Sequence, residues 1–122
     1  MTKAEQAIPI FRSFDEAATK AFYVDFLGFE IEHELRFDPE APLFLRLRLD
    51  NCILFLSEHH GDATPGGSAR IDVENVHEYC EALKAKKYKY ARPAVISQPW
   101  GYDDMTIADP SCNRLIFCTK NR

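Results

Sequence analysis

The feature that most constrains the fold is an order of secondary structure that occurs twice along the chain. Each half reads as a short apolar strand, an amphipathic helix and then about three strands in which apolar and polar residues alternate. The first unit covers about residues 7–59, the second about 68–119, and a polar linker lies at about 60–67. We therefore predict a single α+β domain over residues 1–122, with two tandem β-α-β-β-β units whose mixed sheet curls into a cup with the helices outside.

The first unit carries the clearest periodicities. Apolar residues recur every four positions through Phe22 and Phe26, which predicts a helix that ends at Gly28. Leucine occupies every second position over 43–49, which predicts a strand with one apolar face. The apolar run at 7–11 contains Pro9, which donates no backbone hydrogen bond, so this run is expected to form an edge strand.

The second unit ends in a predicted hairpin whose turn is Asp109-Pro110-Ser111-Cys112-Asn113. Ahead of this hairpin lies Gln98-Pro99-Trp100-Gly101, which contains the only tryptophan of the chain. A tryptophan beside a glycine at the mouth of a hairpin suits an aromatic platform for a flat ligand, and it equally suits a cap on the hydrophobic core.

Charge and composition narrow the classes of function. Fifteen basic and nineteen acidic residues give a net charge of −4, which argues against a partner that is a nucleic acid. No apolar run has the length of a membrane span and the polar start does not resemble a signal peptide, so we expect a cytoplasmic protein without membrane contact. The four cysteines and four histidines show no spacing typical of a metal site.

Several motifs together resemble the bleomycin-resistance protein family, which belongs to the glyoxalase, or vicinal oxygen chelate, superfamily. They are Asp15 with Phe22-Tyr23 and Leu27-Gly28-Phe29, Ile53-Leu54-Phe55-Leu56-Ser57, Gln98-Pro99-Trp100-Gly101, and Asp109-Pro110 with Asn113. The resemblance covers about residues 8–118 and implies the glyoxalase/bleomycin-resistance/dioxygenase fold. It also implies a homodimer with ligand crevices to which both subunits contribute, and an N-terminal strand that can exchange between subunits around Pro9.

The resemblance also bears on metal binding. Metalloenzymes of the superfamily place His or Glu on the first and last strands of each unit, and the matching positions here are Ile8, Phe55, Ser68 and Ile116. None of these side chains is a good ligand for a divalent metal. We therefore expect no metal, no other cofactor and no catalytic residues, and we expect binding rather than catalysis.

The resemblance implies that the metal-equivalent positions face the cup and that Trp100 lies over its rim, and strand parity extends the inward direction to neighbouring residues of each strand. The expected ligand-binding residues are Trp100, Gly101, Phe44, Phe55, Arg46, Arg48, Arg70 and Asp72. The aromatic rings can stack on a flat heteroaromatic group, and Asp72 can attract a cationic tail. The arginines either favour an anionic ligand or pair internally with Asp72, Glu74 or other acids. Arg70 stands where the resistance proteins that hold bleomycin carry an additional tryptophan, which weakens the case for bleomycin itself.

Three hypotheses of function follow from these observations. The leading one is a metal-independent protein of the antibiotic-resistance type, which sequesters a drug or metabolite, for example a bleomycin-type drug, in a dimer crevice. The alternative is a glyoxalase-superfamily enzyme that acts on a small metabolite, which the arginines would allow to be anionic, with His59 and Asp72 available for acid–base chemistry. The third hypothesis is an interaction module whose cup is filled by its own side chains.

Overall fold

The computed structural model describes residues 1–121, whose strands form two four-stranded sheets. The N-sheet has the strand order β1-β4-β3-β2 and the C-sheet has the order β5-β8-β7-β6. The elements are β1 Ile10–Arg12, α1 Glu16–Lys20, a π-helical segment Ala21–Phe26, β2 Glu30–Leu35, β3 Phe44–Leu49, β4 Cys52–Ser57, β5 Ser68–Asp72, α2 Val76–Ala85, β6 Ile96–Ser97, β7 Tyr102–Ala108 and β8 Arg114–Lys120.

The two sheets have the same topology. In each, the first strand of the unit pairs in parallel with the last, and the remaining neighbours pair antiparallel. The predicted α+β fold with two β-α-β-β-β units is therefore confirmed. No helix among residues 1–121 is long and apolar enough to cross a membrane.

The first helix differs from the prediction of one regular helix. Asp15 caps its start by accepting a hydrogen bond from the backbone N–H of Ala18 at 2.9 Å, but the helix widens into a π-helical segment after Lys20. This wider turn allows the adjacent rings of Phe22 and Tyr23 to be buried together. Gly28 ends the segment with a φ of 96°, a left-handed conformation that glycine adopts without strain.

One hydrophobic core joins both units. The alternating leucines of β3 and β4 enter this core, as do Leu115 and Phe117 of β8 and buried residues of both helices. Since successive side chains of a strand point to opposite faces, each sheet has a core face and an open face. The open faces carry Phe44, Arg46 and Arg48 on β3, and Arg70 and Asp72 on β5.

The turn that contains Asp109 and Asn113 ties the two units together. Asn113 is fully buried and donates to the carbonyl oxygen of Arg12 at 2.8 Å, while its own side-chain oxygen accepts from Gly67 N–H at 3.2 Å. The Tyr23 hydroxyl donates to Asp109 at 2.6 Å. These bonds hold the end of β1 next to the start of β5.

One strand boundary differs from the expectation, and two others bear on the site. The strand predicted from the apolar run at 7–11 begins only at Ile10, because the register with β4 starts there. Ile8 therefore precedes the strand. The strand before the Trp100 loop is limited to Ile96–Ser97. β7 begins at Tyr102, directly after the Trp100 loop, which places Asp103 and Asp104 within the C-sheet.

Candidate functional site

The open face of the N-sheet brings four of the predicted site residues together. The rings of Phe44 and Phe55 lie with their centroids 5.1 Å apart, and the guanidinium of Arg46 lies 5.5 Å from the centre of the Phe55 ring. Arg46 and Arg48 both donate to the carboxylate of Glu32, from their Nε atoms, at 2.8 and 2.5 Å. These bonds lower the pKa of Glu32, and the bond with Arg48 has a larger effect than the bond with Arg46.

Glu32 therefore neutralises part of the positive charge of this face. All three side chains are about one-third exposed, so the pairs are worth little in stability, but they orient the guanidinium groups. Glu32 was not predicted as part of the site. Glutamates alternating along β2 opposite the arginines of β3 were the signal that could have revealed it.

The open face of the C-sheet contains another neutralised arginine. Arg70 donates two hydrogen bonds to the buried carboxylate of Asp104, at 2.9 and 3.1 Å, and its guanidinium lies 5.5 Å from the centre of the Tyr102 ring. A bidentate pair of this kind fixes the plane of the guanidinium. The bond to Asp104 raises the pKa of Arg70, which remains a cation. Internal pairing, one of the two alternatives for the arginines, thus holds for Arg46, Arg48 and Arg70.

Asp72 forms no ion pair with an arginine within the described residues. Its carboxylate accepts a hydrogen bond from the thiol of Cys118 at 3.3 Å, on the adjacent strand β8. Burial, followed by the bond to Asp72, raises the pKa of Cys118 to about 11. At neutral pH this thiol is protonated and therefore is a poor nucleophile.

Trp100 lies in the loop between β6 and β7 and is 63% exposed, so it does not cap the core. Two backbone hydrogen bonds hold the loop. Gln98 N–H donates to the carbonyl oxygen of Tyr102 at 2.7 Å, and Asn121 N–H donates to that of Gly101 at 2.9 Å. Gly101 has a φ of 94°, which this tight turn requires. None of the rings within residues 1–121 pairs with Trp100, so one face of the indole is available for stacking.

A hollow lies along the boundary between the two units, and we call it the seam groove. It has a volume of about 780 Å³ and is walled by Gln6, Ala7 and Pro9, by the β3–β4 turn, by β5 and by the start of α2. Its floor is apolar, with Ile53, Leu54, Ala69, Ile71, Val73 and Tyr79 among the lining residues.

The charges along the seam groove are mostly negative. Asp50, Asp72, Glu74 and Glu78 line it, and the cation among its described lining residues, Arg70, is already bonded to Asp104. Of the predicted site residues, the groove therefore contains Arg70 and Asp72. The others lie outside it, at the N-sheet face or in the Trp100 loop, and they are Phe44, Phe55, Arg46, Arg48, Trp100 and Gly101.

A polar cluster around Asp103 was not predicted. Its carboxylate bonds to His77 Nε2 at 2.7 Å, and accepts from the Ser97 hydroxyl at 2.7 Å and the Asn121 side-chain amide at 3.0 Å. These bonds lower the pKa of Asp103 to about 2, and the bond with His77 has the largest effect. Such a weakly basic carboxylate does not activate the Ser97 hydroxyl, so the cluster serves to hold α2, β6 and β7 together.

The pKa of Asp103 predicts how stability depends on pH. An unfolded aspartate has a pKa of about 3.9, so the stabilisation is complete above that pH and is lost as the pH falls towards about 2. Asp103→Asn should lower the thermal midpoint at neutral pH, and the difference from the wild type should shrink between about pH 4 and 2. Thermal unfolding followed by circular dichroism across this range measures it. A difference independent of pH would contradict this role of Asp103.

The positions that the resemblance assigns to a metal do not suit a divalent ion. In the observed register, Ile10 lies opposite Phe55 and Arg70 lies opposite Ile116, whereas Ile8 precedes β1 and Ser68 lies opposite Arg114. Within residues 1–121, no three His, Cys, Asp or Glu side chains are grouped so that they could hold a metal ion. The side chains here are apolar, cationic or neutral, which are poor ligands for a divalent cation.

Comparison with known proteins is consistent with this architecture. A family model described as glyoxalase superfamily protein matches residues 2–122. No curated protein sequence matches the chain.

Three solved structures illustrate the likeness in fold. A bleomycin-binding protein complexed with bleomycin has 23% identity and a TM-score of 0.71, with 96% of this chain and 99% of that chain covered. A bleomycin resistance determinant encoded on the transposon Tn5 has 24% identity and a TM-score of 0.74, with 98% and 100% covered. TnmS3, an antibiotic binding protein from Streptomyces sp. CB03234, has 20% identity and a TM-score of 0.71, with 98% and 99% covered.

Proposed function

The chain belongs to the glyoxalase superfamily, and from this premise we propose that it binds a cationic, drug-like small molecule without a metal and without changing it chemically. Its role would be sequestration, in which each binding site removes one molecule of a drug or metabolite from solution. The solved structures that share its fold include a bleomycin-binding protein and an antibiotic binding protein, which supports this class of function.

The observation that carries the proposal is the charge of the seam groove. Four carboxylates line an apolar floor, and the arginine among the described lining residues is neutralised by Asp104. A hollow of about 780 Å³ is within the size range of small-molecule sites, about 300–1,000 Å³. An amphiphilic cation gains both from the apolar floor and from the field of the acids, whereas an anion is repelled.

Two further observations support binding rather than catalysis. The Cys118 thiol is protonated at neutral pH, and the Ser97 hydroxyl donates to a carboxylate too weakly basic to accept its proton. The side chains at the metal positions of the superfamily do not suit a divalent ion. Binding in the groove requires none of these activities.

We place the remaining predicted residues at the walls that a second copy of the chain contributes. Trp100 and Ile96 are exposed at one edge of the C-sheet, and Phe44 and Phe55 lie on the N-sheet face, outside the seam groove. A homodimer would bring such faces together and enclose a ligand that a single chain would leave partly exposed to solvent. Pro9 lines the groove and its carbonyl accepts from Phe55 N–H at 3.0 Å, so exchange of the N-terminal strand would leave the same wall in place.

The fluorescence of Trp100 provides a test, because it is the only tryptophan of the chain. Titration of metal-free bleomycin, as the probe, into protein dialysed against a chelator should change the emission of Trp100 with a saturable curve. Trp100→Phe should retain the fold by circular dichroism but bind the probe more weakly in calorimetry. Trp100 would not belong to the site if calorimetry detected binding while the emission of Trp100 stayed constant and Trp100→Phe bound the probe as tightly as the wild type.

A further inference from the structure

A second hollow has the opposite charge from the seam groove. It has a volume of about 480 Å³ and is lined by residues between Leu83 and Pro93, at the C-terminal end of α2 and in the segment that follows. We call it the basic hollow. Four of its lining residues are cations, namely Lys84, Lys87, Lys89 and Arg92, and none of the described lining residues is acidic.

The local charge differs from that of the whole chain. Residues 84–92 contain five cations and no acids, in a protein whose net charge is −4. Lysines near a helix C-terminus are common because they favour the helix dipole, and Lys86 has this kind of role here. Its ammonium group donates to the carbonyl oxygens of Asp25 and Phe26, at 3.0 and 2.7 Å, and it does not line the hollow.

The other cations of this segment make weaker or fewer contacts with the protein than Lys86 does. Lys84 makes a long ion pair with Glu81 at 3.4 Å, with both side chains largely exposed. Arg92 uses its Nη1 atom for the carbonyls of its own loop, at 3.1 and 3.3 Å, which fixes the guanidinium while its other donors stay available. Within residues 1–121, no hydrogen bond or ion pair engages the Lys87 ammonium, so the positive charge around the hollow is only partly offset by Glu81.

The floor of the basic hollow is apolar and rigid. Leu83 is buried, and the ring of Tyr88 stacks on Phe26 with centroids 4.4 Å apart and planes 17° apart. Pro93 and Ala91 complete the lining. Such a floor suits a flat apolar group, while the cations at the rim suit a dianion.

We propose that the basic hollow binds the phosphate group of a small molecule that carries an aromatic ring, with the ring on the Leu83–Tyr88 floor and the phosphate among Lys84, Lys87, Lys89 and Arg92. A phosphate monoester carries nearly two negative charges at neutral pH, which matches several cations better than a carboxylate does. This site is separate from the seam groove, and its ligand has the opposite charge.

Nuclear magnetic resonance with three probes tests the proposal on the full chain. Phenyl phosphate should shift the backbone amides of residues 84–92 in a saturable manner, inorganic phosphate should bind several-fold more weakly, and phenol should cause no such shifts. The affinity for phenyl phosphate should fall with added salt, because the rim is exposed to solvent.

Matched charge reversals provide the control. The variant K87E/K89E should weaken phenyl phosphate about tenfold or more, whereas K3E/K120E, with the same change in net charge outside the hollow, should bind like the wild type. If the spectrum of K87E/K89E showed that this variant does not fold, Lys87→Gln would be used instead, and its affinity for phenyl phosphate should be several-fold lower than that of the wild type. Equal affinity in the two reversed variants, or shifts confined to other residues, would overturn the proposal. Binding of a single-stranded oligonucleotide at residues 84–92 in the absence of phenyl phosphate binding would also overturn it.

Discussion

Replacing Asp109 with alanine should lower the free energy of unfolding by about 3–5 kcal/mol, because it leaves several buried donors without an acceptor. The buried carboxylate accepts from the Tyr23 hydroxyl at 2.6 Å, from the backbone N–H groups of Ser111 and Asn113 at 2.8 Å, and from the Asn113 side-chain amide at 2.9 Å. Because Asn113 also bonds to Arg12 and Gly67, the loss should loosen the connection between the two units.

Urea denaturation followed by circular dichroism measures this effect, and Tyr23→Phe is the matched control. That variant removes one hydrogen bond to Asp109 and leaves the other three, so it should cost about 1–3 kcal/mol. The Tyr23 hydroxyl remains a donor at all ordinary pH values, since burial and the charge of Asp109 raise its pKa. A smaller loss in Asp109→Ala than in Tyr23→Phe would show that the turn does not depend on the carboxylate.

Removing two carboxylates from the seam groove should have the largest effect on binding. Asp72 on β5 and Glu78 on α2 both line the groove and contribute to the negative field around its apolar floor. The variant D72N/E78Q preserves shape, and the amide oxygen introduced by D72N can still accept the bond from the Cys118 thiol. Its affinity for bleomycin, used as a cationic probe, should fall by about tenfold or more, mainly through slower association, because both acids are exposed and act through their field.

The control for that variant removes the same charge elsewhere. Glu5 and Glu81 are exposed and do not line the groove, so E5Q/E81Q should bind the probe nearly as the wild type does. Calorimetry at two ionic strengths separates the contributions, because the field of the groove acids is partly screened by salt. If both double variants bound equally, the charge of the seam groove would not select the ligand.

Periodicity in the sequence predicted most of the fold. The alternating leucines of β3 identify the core face, and the apolar spacing of Phe22 and Phe26 identifies the first helix. What periodicity did not predict is the π-helical segment, since the burial of the adjacent Phe22 and Tyr23 depends on what packs against them. Likewise, the late start of β1 at Ile10 depends on the register with β4.

The candidate site was less predictable, because charges find their partners across strands. Arg46, Arg48 and Arg70 lie on the open faces of the sheets, and strand parity did not reveal that Glu32 and Asp104 neutralise them. Asp104 was missed because its partner Arg70 lies on another strand of the sheet, 34 residues away in the sequence. Internal pairing was one of the two alternatives that the sequence left open for the arginines, and with Arg70 paired, acids dominate the seam groove.

Calorimetric titration of copper-free bleomycin into protein kept in a chelator tests the proposed function most directly. We expect saturable binding with one ligand per chain at micromolar protein, the same affinity in buffer without the chelator, and recovery of the ligand unmodified. The absence of heat, binding that requires the metal, or chemical conversion of the probe would contradict a metal-independent binding protein for cationic drug-like molecules.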